Sequence, residues 1–214
     1  MIYVTERLIL IIELVLMKNE FWNNRYETNN TVYGNEPNQF FKSFIDTHKP
    51  GTILLPAEGE GRNAIYAASK GWKVDAFDFS KVAQEKALKR AEEEKVKINY
   101  QVMDIENYKA SKQYDAVGLI YVHLDPVVRK KFHGEIAKSL PTAGYLIFEA
   151  FAKEQKNNTS GGPKEEALLY DAPSICSDFQ QLHILFCGQK EVDLKEGDFH
   201  KGRAHVLRLI GQKI

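Results

Sequence analysis

The sequence has little of what a metal site, a membrane span or a disulfide scaffold requires. Cysteine occurs only at 176 and 187. That pair builds no disulfide framework and fits neither a CxxC redox motif nor a zinc ribbon, so it reads as two reduced thiols of a cytoplasmic protein. The six histidines (48, 123, 133, 183, 200 and 205) are scattered, and the five-residue gap from His200 to His205 suits joint ligation from neither a helix nor a strand. No metal site is expected. Excess charge is also absent, since 29 basic side chains balance 29 acidic ones. The chain has no global field to gather nucleic acid or an anionic membrane surface. Long apolar runs are missing too. The opening MIYVTERLILIIELVLM is broken by Glu6, Arg7 and Glu13, leaving Leu8 to Ile12 as its longest uncharged apolar piece. That is too short for a membrane span or a signal-peptide core.

What is present describes a globular domain. The 214 residues are 43% apolar and 27% charged, and they show no repeat, linker or second composition zone. Residues 1–16 are set apart as an N-terminal extension, an added edge strand or a dispensable segment, and 17–214 are read as one domain. From residue 36 strand-like and helix-like segments alternate. Helical spacing of Phe40, Phe41, Phe44 and Ile45 predicts a helix to His48. Strands are expected at 52–57, 72–79, 99–103, 114–122 and 144–151, with helices at 62–70, 80–95 and 125–139 between them. A helix near 174–181 and a hairpin of strands near 183–193 and 203–213 complete the pattern. The expected fold is α/β: a Rossmann-like, doubly wound, mostly parallel seven-stranded sheet with a C-terminal antiparallel hairpin.

Ligands of such sheets bind at the carboxyl ends of the strands. Those ends here carry Gly59 and Gly61 with Ala64 in a G-x-G-x-x-A turn, then Asp78, Asp104, Tyr121 with His123, and Glu149. The glycine turn alone fits dinucleotide binding equally well, and an NAD(P)-dependent oxidoreductase is the competing reading. Charge separates the two. Glu58 and Glu60 flank Gly59, so a pyrophosphate would meet carboxylates at a repulsion on the order of a few kcal/mol. A ligand carrying an ammonium and a sulfonium, such as S-adenosylmethionine (AdoMet), would be attracted. The plainer readings are a helix cap for Asp78, a turn residue for Asp104, core aromatics for Trp22 and Tyr33, and a tight strand–helix turn for the glycines.

Across residues 21 to 214 the segments FWNNRY (21–26), VYGNEPN (32–38), EGEGRNA (58–64), VDAFDFS (74–80), MDI (103–105), YDAV (114–117) and GGP (161–163) occur in order. In these the chain resembles class I AdoMet-dependent methyltransferases, particularly the bacterial group related to tellurite-resistance and thiopurine methyltransferases. The resemblance implies AdoMet as cofactor. Gly59 and Gly61 would pack against its methionine part, with Tyr33 and Arg62 enclosing that end. Asp78 would bind the ribose, with Phe79 against the adenine and Asp104 and Ile105 at the adenine edge. Tyr121 would lie beneath the sulfonium. The sequence departs from the family at Leu55, where an acid is usual, at Pro56, and at Ala57, where the first glycine stands. Glu58 is the candidate to hold the amino group instead.

Methyl transfer asks mainly for positioning, so a base is optional. His123 is the candidate base for a protonated hydroxyl or amine acceptor, against a histidine satisfied by backbone. His200 and Arg203, in DFHKGR, are candidates to bind an anionic acceptor, against ordinary loop charge. Gly161-Gly162-Pro163 is expected in a lid over the acceptor. The partner is a small-molecule methyl acceptor (a thiol, a metalloid oxyanion or a heterocycle), with no nucleic acid and no membrane, and the chain a monomer or weak homodimer. A non-catalytic AdoMet-binding protein is the third reading.

Overall fold

The computed structural model describes residues 22–27 and 31–214. The proposed extension at 1–16 lies outside them. Seven strands form one sheet in the order β3-β2-β1-β4-β5-β7-β6. They are β1 (Thr52–Pro56), β2 (Lys73–Asp78), β3 (Ile98–Val102), β4 (Ala116–Ile120), β5 (Tyr145–Phe151), β6 (Leu182–Lys195) and β7 (Lys201–Lys213). The first five are parallel, β7 runs antiparallel beside β5, and β6 antiparallel beside β7. Among the described residues the helices α1 (Gln39–Thr47), α2 (Arg62–Ser69), α3 (Lys81–Glu93), α4 (Pro126–Lys138) and α5 (Ala172–Asp178) accompany them. Residues 22–26 are also helical.

The period of two along each strand divides the core. Leu54, Val117, Leu119, Leu146 and Phe148 pack on one face with Phe132 and Ile136 of α4 and Ile175 of α5. Ile53, Leu55, Ala116 and Ile147 pack on the other with Phe41 and Phe44 of α1 and Ala87 and Ala91 of α3. With both faces covered, the parallel strands need no polar side. The alanine stripe of α3 buries Ala83, Ala87 and Ala91, and Ser80 caps it by accepting from the Ala83 amide at 3.2 Å. The helix expected from residue 36 starts at Gln39, because Asn38 takes the cap and accepts from Phe41 N at 3.0 Å. No described helix is long and apolar enough to cross a membrane.

The chain reverses its winding between β1 and β4, and β1 is followed there by Ala57, at φ +50. A residue with a Cβ held left-handed costs about 1–2 kcal/mol, more than the flexibility a glycine brings. Ala57→Gly is therefore expected to stabilise the fold by about 0.5–1 kcal/mol. In a thermal melt that is a rise of roughly 2 °C, and a fall would remove the strain account.

Candidate active site

A cleft of about 650 Å³ opens over the carboxyl ends of β1 to β5, at the switch in winding. The turn after β1 forms its acidic end. Gly59 is fixed from both sides: its amide donates to Asp78 Oδ2 at 3.1 Å, and its carbonyl accepts from Tyr100 OH at 2.6 Å. A Cβ on Gly59 would lie 2.8 Å from Tyr26 OH. Gly61 has a different task. It lies outside the cleft lining, at φ +81, and a Cβ there would stand 2.8 Å from Ala87 Cβ, so it lets α2 approach α3.

Gly61 has no side chain to cap α2, and Glu58 does so from the turn. Its Oε1 accepts from the amides of Asn63 at 2.8 Å and Ala64 at 2.7 Å. Those amides are where a pyrophosphate would bind at a helix N-terminus. A carboxylate already holds them, which argues against a dinucleotide. Burial pushes Glu58 up to about 7, against the pull of the Ala64 amide and the Asn63 side chain. Glu60 is committed elsewhere, accepting from Val32 N at 2.7 Å and pairing with Lys86 at 3.0 Å.

Asp78 ends β2 with 4% of its surface exposed. Its Oδ1 accepts from Ser80 N at 2.9 Å. Burial raises it to about 6, the backbone amides oppose that, and the charge of Asp104 adds to it. Phe79, Asp104 and Ile105 line the cleft beside it. Asp104 Oδ1 also accepts from Glu106 N at 2.9 Å, so it carries a turn role as well as a place in the lining.

The far end is aromatic. Tyr121 follows β4 at φ +55, donates from its hydroxyl to Glu149 Oε1 at 3.1 Å, and has its ring centroid 4.5 Å from that of His200. Tyr33 lies 4.6 Å from His200 on another side and accepts from Arg25 at 3.2 Å. Arg62 donates to Tyr33 O at 3.1 Å and to Glu196 at 2.8 Å. Phe151, Thr159 and residues 161–163 close the roof. That roof is anchored: Gln155, fully buried, donates to Ser160 Oγ and Gly161 O at 2.9 Å each and accepts from His205 N at 2.8 Å.

Two catalytic candidates are placed otherwise than their sequence context suggests. His123 lines the cleft, but Nδ1 meets Leu168 O at 2.8 Å and Nε2 receives Phe151 N at 3.4 Å. Both nitrogens are occupied by backbone, and burial pushes the imidazole down to about 4. That geometry fits a structural histidine and leaves no lone pair to take a proton. Arg203 stands within β7, which begins two residues earlier than its expected start, rather than in a loop. It lies outside the cleft lining, 74% exposed and paired with Glu191 across the hairpin. His200 does line the cleft, 6% exposed. Arg25 and Phe151 line the cleft without having been singled out, and Glu196, outside the lining, contacts Arg62 and His200. Glu196 sits in the polar turn EGDFHKGR, and that turn composition was the available signal.

The lining fits AdoMet in its chemistry: the carboxylates of Glu58 and Asp78, the Phe79 ring, and Asp104 with Ile105 all border the cleft. The deciding charges titrate near neutrality, so affinity for a cationic ligand is expected to fall as pH drops through about 7 and then about 6, as Glu58 and Asp78 take up protons. Below that window binding releases protons, and above about pH 8 it does not. Calorimetry in two buffers of different ionisation enthalpy reads this directly, and a pH-independent affinity would contradict it.

A family model described as a methyltransferase domain matches residues 53–144. Among solved structures, TehB from Haemophilus influenzae superposes with a TM-score of 0.70 at 15% identity, over 92% of this chain and 67% of that one. The N-methyltransferase NodS from Bradyrhizobium japonicum, in complex with S-adenosyl-L-homocysteine, gives 0.68 at 11% identity, over 91% and 97%. The 1,6-didemethyltoxoflavin-N1-methyltransferase of Burkholderia thailandensis gives 0.62 at 15%, over 82% and 77%. At these identities the structures speak for the fold. Curated protein sequences returned no match.

Proposed function

We propose that this chain, an AdoMet-dependent methyltransferase resembling the class I group that includes TehB, methylates a small molecule seated at the aromatic end of its cleft. The observation that carries the reading is the roof. Gln155 and Ser160 tie residues 155–161 down to β7 over Phe151 and His200, so the far end takes a compact acceptor and not a polymer strand. NodS and the toxoflavin enzyme are named for methylating nitrogen, and the chain's resemblance to the tellurite-resistance and thiopurine group adds thiols and metalloid oxyanions.

AdoMet, when bound, supplies an electrophilic methyl group. The protein's part is to hold both reactants and exclude water. Glu58 and Asp78 would hold the cationic and ribose portions, Phe79, Asp104 and Ile105 the adenine, and Tyr33 and Arg62 the methionine end. Tyr121, pinned by Glu149, would wall the cleft on the side of the transferred methyl. His200, enclosed by Tyr33, Tyr121 and Phe151, faces the acceptor and takes its proton where it carries one.

Calorimetric titration with AdoMet, S-adenosylhomocysteine and NADH tests the first half. Binding of both sulfur ligands with silence from NADH supports it, and the reverse pattern restores the oxidoreductase. A panel of thiols, selenite, tellurite and nitrogen heterocycles then identifies the acceptor. Tight cofactor binding without turnover on any of them would return the non-catalytic reading.

A further inference from the structure

We propose that Glu196, in the turn joining β6 to β7, is a positioning residue shared by the two ends of the cleft, and that cofactor binding hands its carboxylate from Arg62 to His200. This rests on the AdoMet reading given above.

One oxygen carries the argument. Glu196 Oε2 accepts from Arg62 Nη2 at 2.8 Å and stands 3.5 Å from His200 Nδ1. The second contact is an ion-pair separation without hydrogen-bond alignment, and His200 Nδ1 is buried without an aligned hydrogen-bond partner. Such a nitrogen is costly to leave unmet, and the one carboxylate beside it is engaged elsewhere. Arg62 gives its other terminal nitrogen to Tyr33 O and Glu36 O, at 3.1 and 3.4 Å. Among the described residues Glu196 is the carboxylate that answers its charge. Both Arg62 and His200 line the cleft. A ligand carboxylate arriving at Arg62 competes with Glu196 for the guanidinium. The freed oxygen has His200 Nδ1–H within a short movement, while Oε1 keeps Asn38 Nδ2 at 3.3 Å. Bonding there fixes the ring with Nε2 as its proton-accepting atom. The acceptor-side histidine is thereby completed only in the cofactor complex.

The groups facing His200 are Glu196 on its own turn, Arg62 from α2, Arg25 from the 22–26 helix, Tyr33, Tyr121 after β4, and His123 behind it. Burial and the two arginines hold its proton affinity down, and Glu196 works against them. Handing over the carboxylate therefore shifts the imidazole upward.

The experiment is a proton NMR titration of the His200 ring in the whole chain, assigned by its disappearance in His200→Asn. It is run with and without saturating S-adenosylhomocysteine, which carries the carboxylate and lacks the sulfonium charge. The expected result is a midpoint raised by about one unit, with the rise lost in Glu196→Gln. An unmoved or lowered midpoint with ligand bound overturns the proposal and leaves the AdoMet reading intact. Failure of S-adenosylhomocysteine to bind in calorimetry removes both. The wild-type titration stands even where Glu196→Gln fails to fold.

Discussion

Asp78→Ala is expected to weaken AdoMet binding by at least about 100-fold while the chain stays folded. The side chain does two things from one buried position. It ties down the glycine turn through Gly59 N and the start of α3 through Ser80 N, and it lines the cleft where ribose hydroxyls are expected. Hydrogen bonds to a charged group are worth about 1.5–3 kcal/mol each, so losing a pair of ribose contacts accounts for two decades or more. The fold has reserves. Gly59 O remains held by Tyr100 OH, and Ser80 still caps α3 through its own hydroxyl. Asp78→Asn separates the two duties, since its carbonyl keeps one amide contact and its charge is gone. Calorimetry and a thermal melt on both variants decide it. Unchanged affinity in Asp78→Ala would move the cofactor site elsewhere, and an equal loss of folding in both would make the residue a structural tie.

What the sequence makes legible here is local. The five parallel strands, the alanine stripe of α3 and the acid at the close of β2 each depend on residues a few places apart, where a period of two or of about four reports burial directly. Because ligands of such sheets gather at strand ends, the cleft residues from Glu58 to Tyr121 follow from the strand assignments. The rest depends on partners far along the chain. His123 carries a base's composition and a spacer's geometry, since the Leu168 carbonyl and the Phe151 amide that fill its nitrogens are 45 and 28 residues away. Arg203 looks like a loop cation until pairing with β6 extends β7 back to Lys201 and sets it opposite Asp193. Glu58 flanks the glycines in either account. Only the left-handed turn at Gly61 reveals that it caps α2 and so blocks a pyrophosphate.

The pair least legible in sequence carries the largest expected effect on stability. Glu149 on β5 and Arg208 on β7 face each other directly across the antiparallel ladder and form an ion pair. Glu149 is fully buried, and Arg208 retains only 16% exposure, its guanidinium lying over Phe40 at 5.0 Å. Arg208→Leu leaves that carboxylate with two neutral donors, Asn38 Nδ2 at 2.6 Å and Tyr121 OH at 3.1 Å. Stranding a buried charge in this way costs about 3–5 kcal/mol, a large share of the roughly 5–15 kcal/mol that holds a domain together. A melting temperature lower by roughly 10 °C is expected. The double variant Glu149→Leu with Arg208→Leu removes both charges and should recover part of that loss, because a matched pair replaced by apolar side chains is often close to neutral. A single variant within about 1 kcal/mol of the parent would mean that water reaches Glu149. The cycle also has a functional reading. Glu149 pins the Tyr121 hydroxyl and, through Asn38, the segment leading into α1, so a double variant that regains stability without regaining cofactor affinity would assign the pair to holding the floor of the cleft.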